Sequence, residues 1–150
     1  MAVGYALVLY RRRRKEVGVI VHGVQPDELE SLFPFLTGWL VRIPRLNEWY
    51  KLNDVYKAVL SGDWQLWTFM DKKLEGVLLT TIVQFPLSRE LRMIGIAGNR
   101  MEEWRGDIHI IENYARANDC DRVVMLGARK GFGKVFPDYK GDRVILEKKL

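Results

Sequence analysis

The chain has 150 residues, 48% of them apolar and 29% charged, with a formal net charge of +5. That length suits one domain, 1–150, able to bury ~68–70% of its unfolded surface without a staple or structural metal. The lone Cys120 excludes an intramolecular disulfide, and no apolar run approaches the ~20 residues of a membrane-spanning helix.

Residues 2–10 (AVGYALVLY) and 17–22 (VGVIVH) are short, β-rich runs on either side of a basic segment. They form a hairpin, or a strand preceded by an arm, so that 1–16 is either a basic arm or a first strand. Arg11, Arg12, Arg13, Arg14 and Lys15 supply five positive charges in a row, as many as the whole net charge, and the remainder of the chain is balanced. The run is a solvated segment or a contact for phosphate or another anion, nucleic acid included. An export signal has its charge before the apolar stretch; here the order is reversed, which favours a cytoplasmic protein.

Gln25-Pro26-Asp27-Glu28 places a proline near a first helical position and acids in the first turn. It opens a helix through Leu29, Leu32, Phe33 and Leu36 in which Pro34 favours an early break. In 37–52, Trp39, Trp49 and Tyr50 interleave with Arg42, Pro44 and Arg45, a pattern that stacks and clamps a nucleotide-like ligand or covers the core as a loop. Asn53-Asp54 caps a short helix through Val55, Tyr56, Val59 and Leu60, closed by Ser61-Gly62-Asp63. WQLWTFM (64–70) and LEGVLLTTIVQF (74–85), joined by a DKK turn, read as antiparallel strands.

The centre of the chain, 91–126, reads as strand, tight loop, amphipathic helix and strand. Met101, Trp104, Ile108, Ile111 and Ala115 recur at three- and four-residue steps, with Glu102, Glu103, Asp107, Glu112 and Arg116 on the opposite side. Asn99 with Glu102 resembles a capping box at the start, and Asn118-Asp119 marks the end. The flanking strands LRMIGIAG and RVVMLGA are nearly all apolar, as for strands covered on both faces. Gly95, Ala97 and Gly98 either let a ligand approach the backbone before the helix or let the helix pack close to the strand. Beyond lie a glycine- and base-rich stretch, 128–133, a Phe136-Pro137-Asp138-Tyr139 turn, and RVILEKKL (143–150) as a last strand. Together these elements make a mixed α/β (α+β) fold with a largely antiparallel sheet.

This order, with LNDVYKAVLSGDWQLWTFMDKKLEGVLLTTIVQFP leading into the central unit, resembles the GNAT acyltransferase fold, and most of all the compact GNAT-like proteins of tailed bacteriophages. The resemblance implies a twisted, largely antiparallel sheet with helices on both faces and acetyl-CoA bound where the fourth and fifth strands splay. It implies a pyrophosphate held by a Q/R-x-x-G-x-G/A loop, which Arg92-x-x-Gly95-x-Ala97 matches in letters. By position, the residues implied to touch the cofactor are Ile96, Ala97, Gly98, Asn99, Arg100 and Met101. A tyrosine near the penultimate helix would protonate the leaving thiolate. Phe136 stands near that place, and Tyr139 three residues on is the candidate acid or a packed turn residue. A carboxylate on the central strands would serve as base, and Glu90 is the candidate or a solvated strand-end charge.

Other chemistries fit less well. Two histidines and one cysteine do not form a usual zinc site, His109 reads as a hydrogen-bonded structural residue, and no metal is expected. Ser61 and Ser88 lack the G-x-S-x-G elbow, and in ARKGFGKV Ala128 and Val135 stand where a Walker loop needs Gly and Ser/Thr. Two functional readings follow: an N-acetyltransferase passing acetyl from acetyl-CoA to a small-molecule or protein amine, or a non-catalytic binding or structural module of a bacteriophage that meets a virion or host protein. The matching locations are the bacterial host cytoplasm and the virion, with no membrane partner.

Overall fold

The computed structural model describes residues 10–11, 19–99, 101–125, 136–141 and 146–150. Strands β1 (Tyr10–Arg11), β2 (Ile20–Gly23), β3 (Trp64–Asp71), β4 (Lys73–Gln84), β5 (Arg89–Gly98) and β6 (Arg122–Met125) lie side by side in chain order. Neighbours are antiparallel except β5 and β6, which run parallel. The helices are α1 (Pro26–Leu40), α2 (Leu46–Trp49), α3 (Leu52–Ser61), α4 (Met101–Trp104) and α5 (Ile108–Ala117).

Side-chain alternation along the strands builds two cores, one on each face of the sheet. Val21, Trp67, Phe69, Leu78, Leu91 and Met93 point to the face covered by α5, where they meet Ile108, Ile111, Tyr114 and Ala115. Leu66, Val77, Leu79 and Ala97 point the other way, against Leu29, Leu36 and Leu40 of α1 and Val55 and Val59 of α3. The expected mixed sheet with helices on both faces is therefore what the chain forms.

Several elements differ from the sequence reading. α1 continues through Pro34 to Leu40, because Leu36 and Leu40 beyond the proline are buried on the sheet and that packing outweighs the lost backbone hydrogen bond. α3 is capped two residues earlier than expected, at Lys51 in place of Asn53: Lys51 N–H donates to the Asp54 carboxylate at 2.8 Å, and Gly62 closes the helix with φ 83°. Residues 146–150 are not a strand. Between the exposed Leu146 and Leu150 stand three charged residues, leaving nothing there for a sheet to bury.

The helix after β5 is not one rod. A 3₁₀ segment, Arg105–Asp107, separates α4 from α5. Wound at 3.0 residues per turn, three residues advance the chain by about 60° more than an α-helix would. That turn carries Asp107, placed on the polar side by the helical period, to a fully buried position.

The turn at Phe136 forms as expected, with Tyr139 N–H donating to the Phe136 carbonyl at 3.0 Å. The pairing of β1 with β2 supports the antiparallel reading of the two N-terminal runs. The expected strand 2–9, Arg12, Arg13, Arg14, Arg100, the end of the expected strand RVVMLGA from 126, the basic stretch 128–133 and the first part of the expected last strand, 143–145, lie outside the described residues, as does the side chain of Arg11.

Candidate functional site

Among the described residues the parallel pairing of β5 with β6 runs from Glu90 opposite Arg122 to Met93 opposite Met125, and the residues that follow Met125 lie outside them. β5 continues through Ile94, Gly95, Ile96 and Ala97 to Gly98. This stretch contains a bulge. Leu79 faces Gly95 and Thr80 faces Met93, so Ile94 is the extra residue on β5. A bulge breaks the alternation and bends the strand. After it Ile94 and Ala97 face the α1 side, while Ile96 packs against the α5 side.

One wall beside this stretch comes from the linker between α1 and α2. Ile43, buried at 2% exposure, sits on Gly95, and a Cβ added to that glycine would lie 2.2 Å from the Ile43 Cγ2 methyl. The space over Gly95 on this side thus belongs to an isoleucine and not to a ligand, which narrows the first of the two sequence readings to the residues after Gly95. Next to it, the Arg42 guanidinium lies 4.5 Å over the Trp39 ring and donates from Nη2 to Asn99 Oδ1 at 3.4 Å. The stretch 37–52 covers the core, and its arginines stack on its own tryptophans. Ile43 and Leu46 cover the core, while Trp49 is 63% exposed beneath Arg45.

The loop residues fall where β5 ends. Ile96 and Met101 are half-buried against the α5 core, Ala97 is buried against the α1 core, Gly98 is half-buried, and Asn99 is exposed with its N–H donating to the Glu75 carbonyl at 2.8 Å. These residues end one strand and open the helical run. The structure brings them to one place, together with Arg42.

Glu90 stands apart from them. Its four-residue separation from the bulge amounts to about 13 Å of strand. It is buried at 4% exposure, contrary to a solvated strand end, and accepts from Arg92 Nε at 2.8 Å. The signal for that partner was present in the chain, since residues two apart on a strand share a face. Because Leu91 and Met93 face α5, Glu90 and Arg92 face the other side, where Arg92 also lies 5.5 Å from the Phe85 ring centroid.

Tyr139 lies on the α5 side. Its hydroxyl donates to Glu112 Oε2 at 3.1 Å, and its ring packs against that core beside Phe136. The two catalytic candidates thus occupy opposite faces of the sheet. Burial, then the charge of Glu112 and its hydrogen bond, push the Tyr139 pKa well above the ordinary tyrosine value. The native state then holds a proton that the unfolded chain releases above about pH 10, so this stabilisation is present below that pH and is lost as pH rises towards the folded-state pKa. Wild type should lose unfolding free energy above about pH 10 more steeply than Tyr139→Phe. Identical alkaline slopes in urea titrations would contradict the assignment.

The histidines serve structure. His109 Nδ1 meets the Gly106 carbonyl at 2.5 Å, across the 3₁₀ segment, as expected of a hydrogen-bonded residue. His22 Nε2 meets Glu28 Oε1 at 2.5 Å, and the same carboxylate accepts the Gln25 N–H at 2.7 Å, tying β2 to the start of α1. Among the described residues no helix is long and apolar enough to cross a membrane, and no three His, Cys, Asp or Glu gather as metal ligands.

No protein-family model and no curated protein matches the sequence. Solved structures do match the fold. A predicted acetyltransferase from Clostridium acetobutylicum, solved with acetyl-CoA, shares 12% identity over 88% of this chain and 95% of its own, with a TM-score of 0.59. A GNAT family acetyltransferase from Staphylococcus aureus shares 14% over 88% and 98%, with a TM-score of 0.58. An aminoglycoside acetyltransferase from an uncultured soil metagenomic sample, in complex with sisomicin, shares 10% over 88% and 96%, with a TM-score of 0.64. At such identities it is the architecture that is common to them, and the chain has the GNAT acetyltransferase fold.

Proposed function

We propose that the chain is an acetyl-CoA-dependent N-acetyltransferase acting on an amine. The observation that carries this reading is the bulge at Ile94 in β5, followed by a loop rich in small residues that opens the helical run. The pantetheine arm of acetyl-CoA bears amide groups, which fit strand backbone where a bulge interrupts the ladder, by the same pairing that joins two strands. Bound there, acetyl-CoA supplies a thioester open to attack by an amine.

In this reading Ile96, Ala97, Gly98, Asn99, Arg100 and Met101 form the cofactor-contacting segment, with Gly98 admitting close approach. Glu90 is the proposed base, acting through ordered water because its strand position is remote from the bulge, and Tyr139 the proposed acid. Their placement on opposite faces of the sheet suits direct transfer, with the amine losing its proton on one side of the reacting carbonyl and the thiolate gaining one on the other. The neighbour solved with acetyl-CoA supports the cofactor, and the aminoglycoside acetyltransferase solved with sisomicin supports a small-molecule amine as acceptor.

Two contacts favour the alternative of a non-catalytic GNAT-fold binding module, such as a bacteriophage virion or host-interaction protein: the Tyr139 hydroxyl is taken up by Glu112, and the Glu90 carboxylate by Arg92. Calorimetric titration with acetyl-CoA decides between the readings. Micromolar binding, lost in a Gly98→Trp variant that keeps the wild-type unfolding temperature, is the expected result and opens a screen of amines for thiol release. A folded wild-type protein giving no heat at millimolar acetyl-CoA would sink the enzyme reading.

A further inference from the structure

Most arginines with described side chains on or beside the sheet are already spent. Arg45 pairs with Glu48 and Glu147, Arg92 with Glu90, and Arg122 with Asp121. Arg89 donates to the Asn118 carbonyl and to Gln84. Arg42, like Arg89 and Arg116, has only neutral partners, here the Trp39 ring and the amide oxygen of Asn99, and no described carboxylate forms an ion pair with it; of the three it alone reaches the loop after β5.

Those two partners position the guanidinium without neutralising it. Stacking on an indole holds the plane of the group, and a neutral amide oxygen takes only one of its five N–H donors. The remaining donors form the planar fork that matches an oxyanion in two-point contact. Ile43, the next residue, is locked into the space over Gly95, so the backbone carrying Arg42 is anchored to β5 just after its bulge.

We infer that Arg42 is an oxyanion-binding residue beside the loop after β5, supplied by the linker after α1 and taking a phosphate-class group. The site borders the segment assigned to the cofactor, and in that respect the inference rests on the acetyl-CoA reading. The oxyanion has two sources, the diphosphate of the cofactor or an anionic group on the acceptor amine.

The test titrates inorganic pyrophosphate into the full chain at low salt, following the Arg42 side-chain Nε–H resonance and the heat of binding. Arg42→Gln should weaken binding about ten- to hundredfold, the loss typical of a charge-assisted hydrogen-bond pair. Arg45→Gln, whose charge is already matched by Glu48 and Glu147, should change it less than about twofold. Trp39→Leu, which removes the stacking surface and keeps the charge, should fall between them. Wild-type affinity in Arg42→Gln, or no binding by the wild type at millimolar pyrophosphate, overturns the inference.

Acetyl-CoA then separates the sources. A parallel loss of acetyl-CoA affinity in Arg42→Gln assigns the oxyanion to the cofactor, and unchanged acetyl-CoA affinity with lost pyrophosphate binding assigns it to the acceptor. A wild type that binds pyrophosphate through Arg42 but binds no acetyl-CoA upholds the arginine's role and removes the transferase reading.

Discussion

Trp67→Ala is expected to cost about 3–5 kcal/mol of unfolding free energy, a large part of the 5–15 kcal/mol typical of a domain. Trp67 is 1% exposed and is among the largest fully buried side chains of the described residues. Its ring meets Tyr114 of α5 edge to face, with centroids 5.0 Å apart. Its Nε1–H donates to Thr80 Oγ1 at 3.0 Å, and Thr80 in turn donates to Gln65 Oε1 at 2.9 Å. Alanine therefore empties the space between sheet and helix and removes one donor from a buried chain of polar groups. Trp67→Phe isolates the second effect. It keeps a ring against Tyr114 and should lose about 1–2 kcal/mol for the unmade hydrogen bond. Urea unfolding at constant slope reads both variants. A loss below about 1 kcal/mol in Trp67→Ala would show that α5 is held to the sheet by its other contacts.

The parts of this fold legible in the sequence are those fixed by local periods. Two β-rich runs joined by a DKK turn marked β3 and β4, a continuous apolar run marked β5, and Ile108, Ile111 and Ala115 at helical steps marked the face of α5 that is in fact buried. Gly62 after Ser61 marked the end of α3 because only a glycine adopts that left-handed conformation without cost. What was not legible depends on local departures from those periods, on which same-face neighbour a side chain meets, and on contacts between residues distant in the chain. Asp107 reads as solvated from its charge, and its burial follows from one short 3₁₀ segment that no period announces. Glu90 reads as a strand-end charge until Arg92 is seen folded onto it. Of the candidate site, the position of the loop after β5 was readable and the wall opposite was not. Nothing in 37–52 says that Ile43 rests on Gly95 or that Arg42 reaches Asn99.

Gly95→Ala should destabilise the protein by about 2–3 kcal/mol, near the top of the range for overpacking. The new methyl would stand 2.2 Å from Ile43 Cγ2, where carbon atoms at rest keep about 3.5–4.0 Å. Ile43 is buried at 2% exposure and cannot swing into solvent without giving up its own packing. The linker after α1 must shift, or β5 must bend further at its bulge. Ile43→Ala supplies the complementary change, since it removes Cγ2 and leaves the Ile43 Cβ at 3.5 Å, an ordinary contact. That variant alone should lose about 2–4 kcal/mol as a cavity, and Gly95→Ala added to it should cost little more. The resulting coupling of about 2 kcal/mol lies in the range seen for residues in direct contact. The cycle also separates two uses of the glycine. A glycine kept bare for a ligand predicts that Gly95→Ala unfolds at the wild-type urea midpoint and loses only acetyl-CoA affinity, with no relief from Ile43→Ala. A glycine kept bare for Ile43 predicts the loss of stability first, with affinity falling alongside because the backbone that moves is the one carrying Arg42.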